Sequence, residues 1–173
     1  MKTLCDQLSN YAAYHRDRRN IATHFVGIPM IVLAVAILLS RPALALGGLT
    51  VSPATAVALA AGLYWLRLDL RYGAVMAVLL AGALAVAQSL AAAPTATWAG
   101  AGIGLFVVGW VFQFVGHFWE GRKPAFVDDL TGLVIGPLFV VAEAGFLLGL
   151  RSGLRAAVEA RSGPVRGAAQ PAL

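Results

Sequence analysis

The feature that most constrains this chain is a series of long apolar runs, at about residues 21–40, 51–66, 72–92 and 97–118, with a last one from Leu130 to Leu150. A helix rises 1.5 Å per residue, so about 20 residues make about 30 Å, the thickness of a bilayer's hydrocarbon core. In that medium a backbone must satisfy its own hydrogen bonds, which makes each run a helix. Charge agrees with length: only 12% of the residues are charged, against about 25% in a soluble domain. The expected fold is therefore all-α, a polytopic membrane helix bundle of four to five spans. An N-terminal interfacial amphipathic helix precedes it, since Leu4, Leu8, Tyr11, Ala12 and His15 recur every three or four positions. The expected organisation is an amphipathic segment over 1–20, a transmembrane bundle over 21–150, and a basic, flexible tail over 151–173.

Punctuation refines the spans. Asn20 is a candidate N-cap for the first. Pro29 lies inside that span and is expected to kink it. Gly100, Gly102, Gly104 and Gly109 in the fourth span suit close helix packing. The last run contains Gly136-Pro137 and a carboxylate, Glu143. Loops rich in Lys and Arg stay on the cytoplasmic side. Lys2, Arg16, Arg18 and Arg19 place the N-terminus there, and four crossings return the chain there at His117. Arg151, Arg155, Arg161 and Arg166 ask for the same side. A re-entrant hairpin broken at Gly136-Pro137 would satisfy them; a fifth full crossing is the alternative. The composition, rich in Ala, Gly and Arg, suggests a bacterial inner-membrane protein with its polar end in the cytoplasm.

The net charge of +5 comes from residues outside the apolar runs. It reads as orientation signal and contact with membrane lipids, not as a nucleic-acid footprint. Cys5 is the single cysteine, which excludes an intrachain disulfide and a multi-cysteine metal site. The polar residues before Ile21 and the length of the first run do not fit a cleaved signal peptide.

Where the fourth run ends, Gln113, His117 and Glu120 are spaced i, i+4 and i+7, one polar face on an apolar helix. Such a stripe is costly in a membrane unless it binds something. The other two histidines, His15 and His24, flank the start of the first span at the same expected depth. Nine residues are about 900° of helix, which puts them on opposite faces unless the chain turns between them, as a helix start at Asn20 would allow. Three neutral imidazoles meeting there would suit iron, zinc, copper or nickel. Glu120, Asp17 and Asp128 are candidate fourth ligands or partners of the histidines. Arg16, Arg18, Arg19 and Arg122 could contact headgroups or hold a substrate carboxylate.

The segments Tyr14-His15, Asn20-Ile-Ala-Thr-His24-Phe-Val-Gly27-Ile-Pro29, Gln113-Phe-Val-Gly116-His117, Glu120, Lys123-Pro124-Ala125 and Gly136-Pro137-Leu-Phe-Val with Glu143 resemble the small integral-membrane 2-hydroxy fatty acid dioxygenases. The resemblance covers roughly residues 11–32 and 110–145; between them only hydropathy agrees. It implies Fe(II), O2 and a 2-hydroxy fatty acid, with fatty-acid α-oxidation to a product one carbon shorter. It also implies His15, His24 and His117 as metal ligands, with Glu120 as a further catalytic group. Arg18, Arg19, Asn20, Gln113 and Arg122 are then the substrate-binding candidates. Three imidazoles would fill half of a six-coordinate iron and leave the other half open. Two other readings use the same residues differently. A zinc-dependent membrane hydrolase would take Glu120 as general base. A non-enzymatic lipid transporter or scaffold would use Glu143 and the Gly136-Pro137 break.

Overall fold

The computed structural model describes residues 2–167, except the side chain of Leu49. Seven helices run in the order α1 (Leu4–Ala12), α2 (Arg18–Leu38), α3 (Pro53–Leu68), α4 (Leu70–Ala91), α5 (Thr95–Glu120), α6 (Thr131–Leu147) and α7 (Ser152–Ser162). A hairpin of β1 (Leu44–Leu46) and β2 (Leu49–Val51) lies between α2 and α3, and a 3-10 turn (Ala125–Val127) between α5 and α6. Among the described residues the fold is thus all-α apart from one short hairpin and an isolated bridge between Asp17 and Arg166. Three helices, α2, α4 and α5, are long and apolar enough to cross a membrane. The bent pair α6 and α7 would make a fourth. Contacts group the chain into one unit of residues 1–28 and 111–173 and a second of residues 29–110.

The second unit is plain. Ser52 caps α3 in a capping box with Thr55, and Pro53 takes the first helical position, where no donor is needed. Asp69 Oδ1 accepts the amides of Arg71 and Tyr72 and so starts α4. At Gly73 a Cβ would fall 2.6 Å from the Leu66 Cα, so the turn from α3 to α4 needs glycine. The core is small: Ala36, Ile37 and Ala87, with Leu33, Ala83, Leu90, Trp98 and Leu105 against it. Leu59, Leu63, Val78, Leu79, Ile103 and Val107 point outward. An apolar exterior on self-satisfied helices suits lipid. The Gly47-Gly48 turn of the hairpin, with φ of 54° and 84°, is a two-residue loop that sequence periodicity did not reveal.

In the first unit, α1 starts at a Thr3 capping box with Asp6. Its stripe, Leu4, Leu8, Tyr11 and Ala12, is not a free interfacial face: it is buried, with α1 packed on α6 and α7. The helix ends at Ala12, so His15 lies in the irregular link before α2 and not on α1. Asp17 Oδ1, not Asn20, accepts the Arg19 amide at the start of α2. Asn20 lies inside the first turn of α2 instead.

The break expected at Gly136-Pro137 does not occur. Pro137 sits within the continuous helix α6. Glycine at 136 serves a close approach: a Cβ there would lie 2.9 Å from the Tyr11 hydroxyl and 3.2 Å from Ile28 Cδ1. The chain turns later, between α6 and α7, through 118°. Gly149 and Arg151, at φ 75° and 56°, supply the left-handed residues. The tail is therefore helical over Ser152–Ser162; residues 168–173 lie outside the described ones. The second expected span, α3, has only 16 residues and is too short to count among the crossing helices.

Candidate functional site

Three helix ends bring the histidines together. On α5 the residues Gln113, Gly116, His117 and Glu120 are buried, while Phe114, Val115, Phe118 and Trp119 between them are not. The polar stripe read from spacing is thus the inward face. His117 stands one turn before the end of the helix. Gly121, at φ 69°, ends it. That reversal lets the His117 Nδ1 reach the carbonyl of Arg122 at 3.2 Å. His24 lies in the second turn of α2, its Nδ1 2.9 Å from the Asn20 carbonyl. His15 lies on the α1–α2 link, its Nδ1 2.7 Å from the Tyr11 carbonyl. Tyr11 stacks flat on the His15 ring, centroids 4.1 Å apart, and Phe139 backs both.

The protonation pattern follows from these partners. A carbonyl oxygen only accepts. Each Nδ1 must therefore carry the proton, and each neutral ring keeps its lone pair on Nε2. Burial, with His24 beside it, holds the His15 imidazole well below its usual range, so it stays neutral. The ring centroids are 4.4, 4.9 and 5.2 Å apart, and the planes cross at 75°, 69° and 79°. One nitrogen from each ring falls within 4.8 Å of the other two. The Nε2 atoms of His15 and His24 are 3.0 Å apart, with no proton to share. Two buried acceptors facing each other cost about 1–3 kcal/mol each when unmet. A cation between them turns that repulsion into binding. At 3.0 Å both nitrogens are close enough to reach one ion on bonds of about 2.0–2.1 Å.

The other candidate residues make contacts of their own. Glu120 is not part of the histidine group. Its carboxylate accepts the amides of Arg16 and Asp17, the Asn20 amide and the Arg166 guanidinium. Asp17 pairs with Arg19, and Asp128 accepts from Tyr14 and Lys123; neither joins the histidines. Arg18 is exposed. Arg19 is exposed and lies over the Trp119 ring. Arg122 is exposed and donates to the Ala13 carbonyl. None of these three guanidinium groups is buried beside the rings. Asn20 is fully buried, held to Glu120 through Nδ2, while its Oδ1 has no partner. Gln113, one turn before His117, is buried and its Nε2 has no partner. Of the residues carried as substrate contacts, these two alone offer buried, unmet polar atoms.

Sequence reasoning missed Tyr11 and Arg166 as contributors, and read Arg16 only as a contact for a headgroup or a substrate carboxylate. Tyr11 could have been found, since it sits four residues before His15 on the same stripe. Arg16 is the one buried arginine of its cluster and faces Glu143 at 3.6 Å. Arg166 had no signal at all, being far along a tail with no periodicity.

The sequence model of the Mpo1-like family, described as 2-hydroxy-palmitic acid dioxygenase Mpo1-like, matches residues 1–147. A yeast protein, the 2-hydroxy-palmitic acid dioxygenase MPO1 of Saccharomyces cerevisiae, is 32% identical over 161 residues, covering 90% of this chain and 87% of the relative. No solved structure matches. The match takes in α1 to α6 and every histidine, so this chain belongs to the Mpo1-like family.

Proposed function

We propose that the chain is an Fe(II)-dependent dioxygenase that cleaves 2-hydroxy fatty acids with O2 to an acid one carbon shorter. The observation that carries it is the facing pair of Nε2 atoms at 3.0 Å, each on a ring whose Nδ1 meets a backbone carbonyl, with a third imidazole beside them. This donor set would suit a borderline metal, and three protein ligands would leave further coordination positions for substrate and O2. The name of the yeast relative supplies the substrate class.

His15, His24 and His117 would hold the iron through Nε2. The iron, when bound, supplies the Lewis acidity and one-electron chemistry that let O2 react with an organic substrate. The chain's own residues do the rest. The carbonyls of Tyr11, Asn20 and Arg122 fix each tautomer and raise the basicity of the nitrogen opposite. Tyr11 and Phe139 exclude water behind His15. Gln113 Nε2 and Asn20 Oδ1 are a donor and an acceptor left for the polar head of the substrate. The acyl chain of such a substrate would extend into the hydrocarbon part of the membrane.

The balance closes without a second reductant. A 2-hydroxy acid plus O2 gives the shorter acid, CO2 and water. The hydroxyl-bearing carbon loses three electrons and the carboxyl carbon one, and O2 takes all four. We further place the histidine end at the cytoplasmic face of the membrane, because Arg16, Arg18, Arg19, Arg122 and Lys123 surround it. The test uses purified protein, Fe(II), O2 and a 2-hydroxy fatty acid labelled at carbon one. Label in CO2 and a shorter, unlabelled acid support the reading; label kept in the fatty product overturns it. Zinc in place of iron, with no O2 consumed, would favour the hydrolase.

A further inference from the structure

The link that carries His15 has no regular structure of its own, yet His15 is fully buried. Something outside the link holds it. We propose that Glu120 and Arg166 form a brace that sets the position of His15, so that residues 163–166 of the C-terminal segment belong to the site. The proposal rests on the reading of the histidines as an iron site.

The geometry is specific. The Glu120 side chain is 1% exposed. Its two oxygens accept the Arg16 amide at 3.1 and 3.0 Å, the Asp17 amide at 2.7 Å and Asn20 Nδ2 at 3.0 Å. The Arg16 amide belongs to the peptide plane that begins at the His15 carbonyl. Glu120 thus fixes the backbone on one side of His15, while the Tyr11 carbonyl fixes its ring on the other. Glu120 also stands three residues after His117 on one helix face, so a single turn of α5 holds both a ring and the neighbour of another ring. Asn20 ties in the third, since its carbonyl accepts the His24 Nδ1 proton.

A carboxylate this deeply buried needs compensation. Three amide donors supply part of it, and Arg166 Nη2 supplies the cation at 2.5 Å. Arg166 arrives there through its own backbone. Its amide donates to the Arg16 carbonyl at 2.6 Å, and its carbonyl accepts the Arg18 amide at 3.2 Å, a strand-like bridge laid along the link. Arg16 Nη1 completes it by donating to the Gly163 carbonyl at 3.0 Å. The family match ends at residue 147, so this strap lies outside it.

Glu120 and Arg166 are positioning residues: they would act on iron only through the histidines they hold, His15 directly and His24 by way of Asn20. The test compares the wild type with Glu120→Gln, Arg166→Ala and Arg166→Lys in detergent, using Co(II) as the probe ion. Gln keeps the shape of Glu but offers one acceptor oxygen to three amide donors and the Arg166 guanidinium. We expect Glu120→Gln to weaken Co(II) binding on the order of 10- to 100-fold and to change its visible absorption. Arg166→Ala should weaken it by about tenfold, with Arg166→Lys restoring most of that. Hydrogen exchange of amides 15–18, measured without metal, should speed up in the same order. Affinity and spectrum unchanged in both Glu120→Gln and Arg166→Ala, even with a lowered melting temperature, would overturn the brace. If the wild type bound neither Co(II) nor Fe(II), the iron reading would fall, and the exchange rates would still decide the brace.

Discussion

The two units of this chain bury different things. In residues 29–110 the buried polar side chains are Ser40 and Ser52. In the other unit they include His15, Arg16, Asn20, Thr23, His24, Gln113, His117, Glu120 and Glu143. One unit is a set of apolar helices joined by a few polar contacts at helix ends, such as Arg41 on the Ala91 and Ala93 carbonyls and Trp98 on the Ile37 carbonyl. The other is a polar interior assembled from segments as far apart as Asp17 and Arg166. Stability in the first is spread over many small apolar contacts. In the second it depends on a few groups that cannot be removed singly, because each would leave a partner stranded. That contrast makes the two units respond differently to mutation.

The largest difference is expected at the histidines. His15→Ala, His24→Ala and His117→Ala should each abolish activity, and metal content should fall from about one ion per chain to near none, since two imidazoles hold a divalent ion poorly. Leu79→Ala, on an outward face of α4, should leave both unchanged. Elemental analysis of protein prepared without oxygen reads the metal content, and O2 uptake reads the activity. A histidine variant that kept its iron would break the comparison at its root.

Next in size is the Arg16–Glu143 pair. Both side chains are nearly buried, and Arg16 Nε also donates to the carbonyls of Ala12 and His15. Arg16→Met strands a buried carboxylate and should cost about 3–5 kcal/mol. The double variant Arg16→Met/Glu143→Leu should recover the part due to the stranded charge, but not the lost carbonyl bonds, about 1 kcal/mol each. Unfolding in mixed detergent measures both. A double variant as poor as the single one would show that the charge of Glu143 matters little.

The glycines of α5 sharpen the same point within one helix. At Gly104 an added Cβ meets nothing within 4 Å. At Gly116 it would overlap Thr23 Oγ1 and Asn20 Oδ1. Thr23 is held by its bond to the Asn20 carbonyl and Asn20 by Glu120, so neither can swing aside. Gly116→Ala should cost about 1–3 kcal/mol and weaken metal binding, because Asn20 also orients His24. Gly104→Ala should be neutral or stabilise by up to about 1 kcal/mol. Of the other expected packing glycines, Gly102 meets Leu38 and Ile37, and Gly100 meets nothing.

What could be read in advance divides along the same line. Apolar runs located α2, α4 and α5, because hydropathy and helix length are local. The inward stripe of Gln113, His117 and Glu120 was legible, because i+3 and i+4 spacing is local too. That His15 and His24 meet was legible only as a condition, a turn between them. The structure supplies that turn with Asp17 as the cap in place of Asn20. The role of Glu120 was not legible. A glutamate near three histidines resembles a ligand or base, and only the amides of Arg16 and Asp17, about a hundred residues away in the chain, show it holding a loop. Pro137 misled for a similar reason: proline breaks helices as a rule, but α6 continues through it, and its neighbour Gly136 is needed for contact with Tyr11. Arg166 was beyond any local pattern.

The smallest effect concerns how the tail is docked. Asp6 on α1 accepts from Thr3 and from Arg161 of α7 at 2.6 Å. The Thr3 amide and hydroxyl, then Arg161, hold its carboxyl down to about 2, from a usual 3.8. A carboxyl lowered on folding stabilises above its unfolded value, and that contribution fades as pH falls from about 4 toward 2. The pair is exposed, so salt should screen it. Asp6→Asn should shift the melting temperature slightly at pH 7 and less in high salt, and should leave metal binding intact. An NMR titration of the Asp6 carboxyl checks the lowered value directly. If Asp6→Asn also loosened amides 15–18, the docking of α7 and the hold of Arg166 on Glu120 would be one coupled element rather than two.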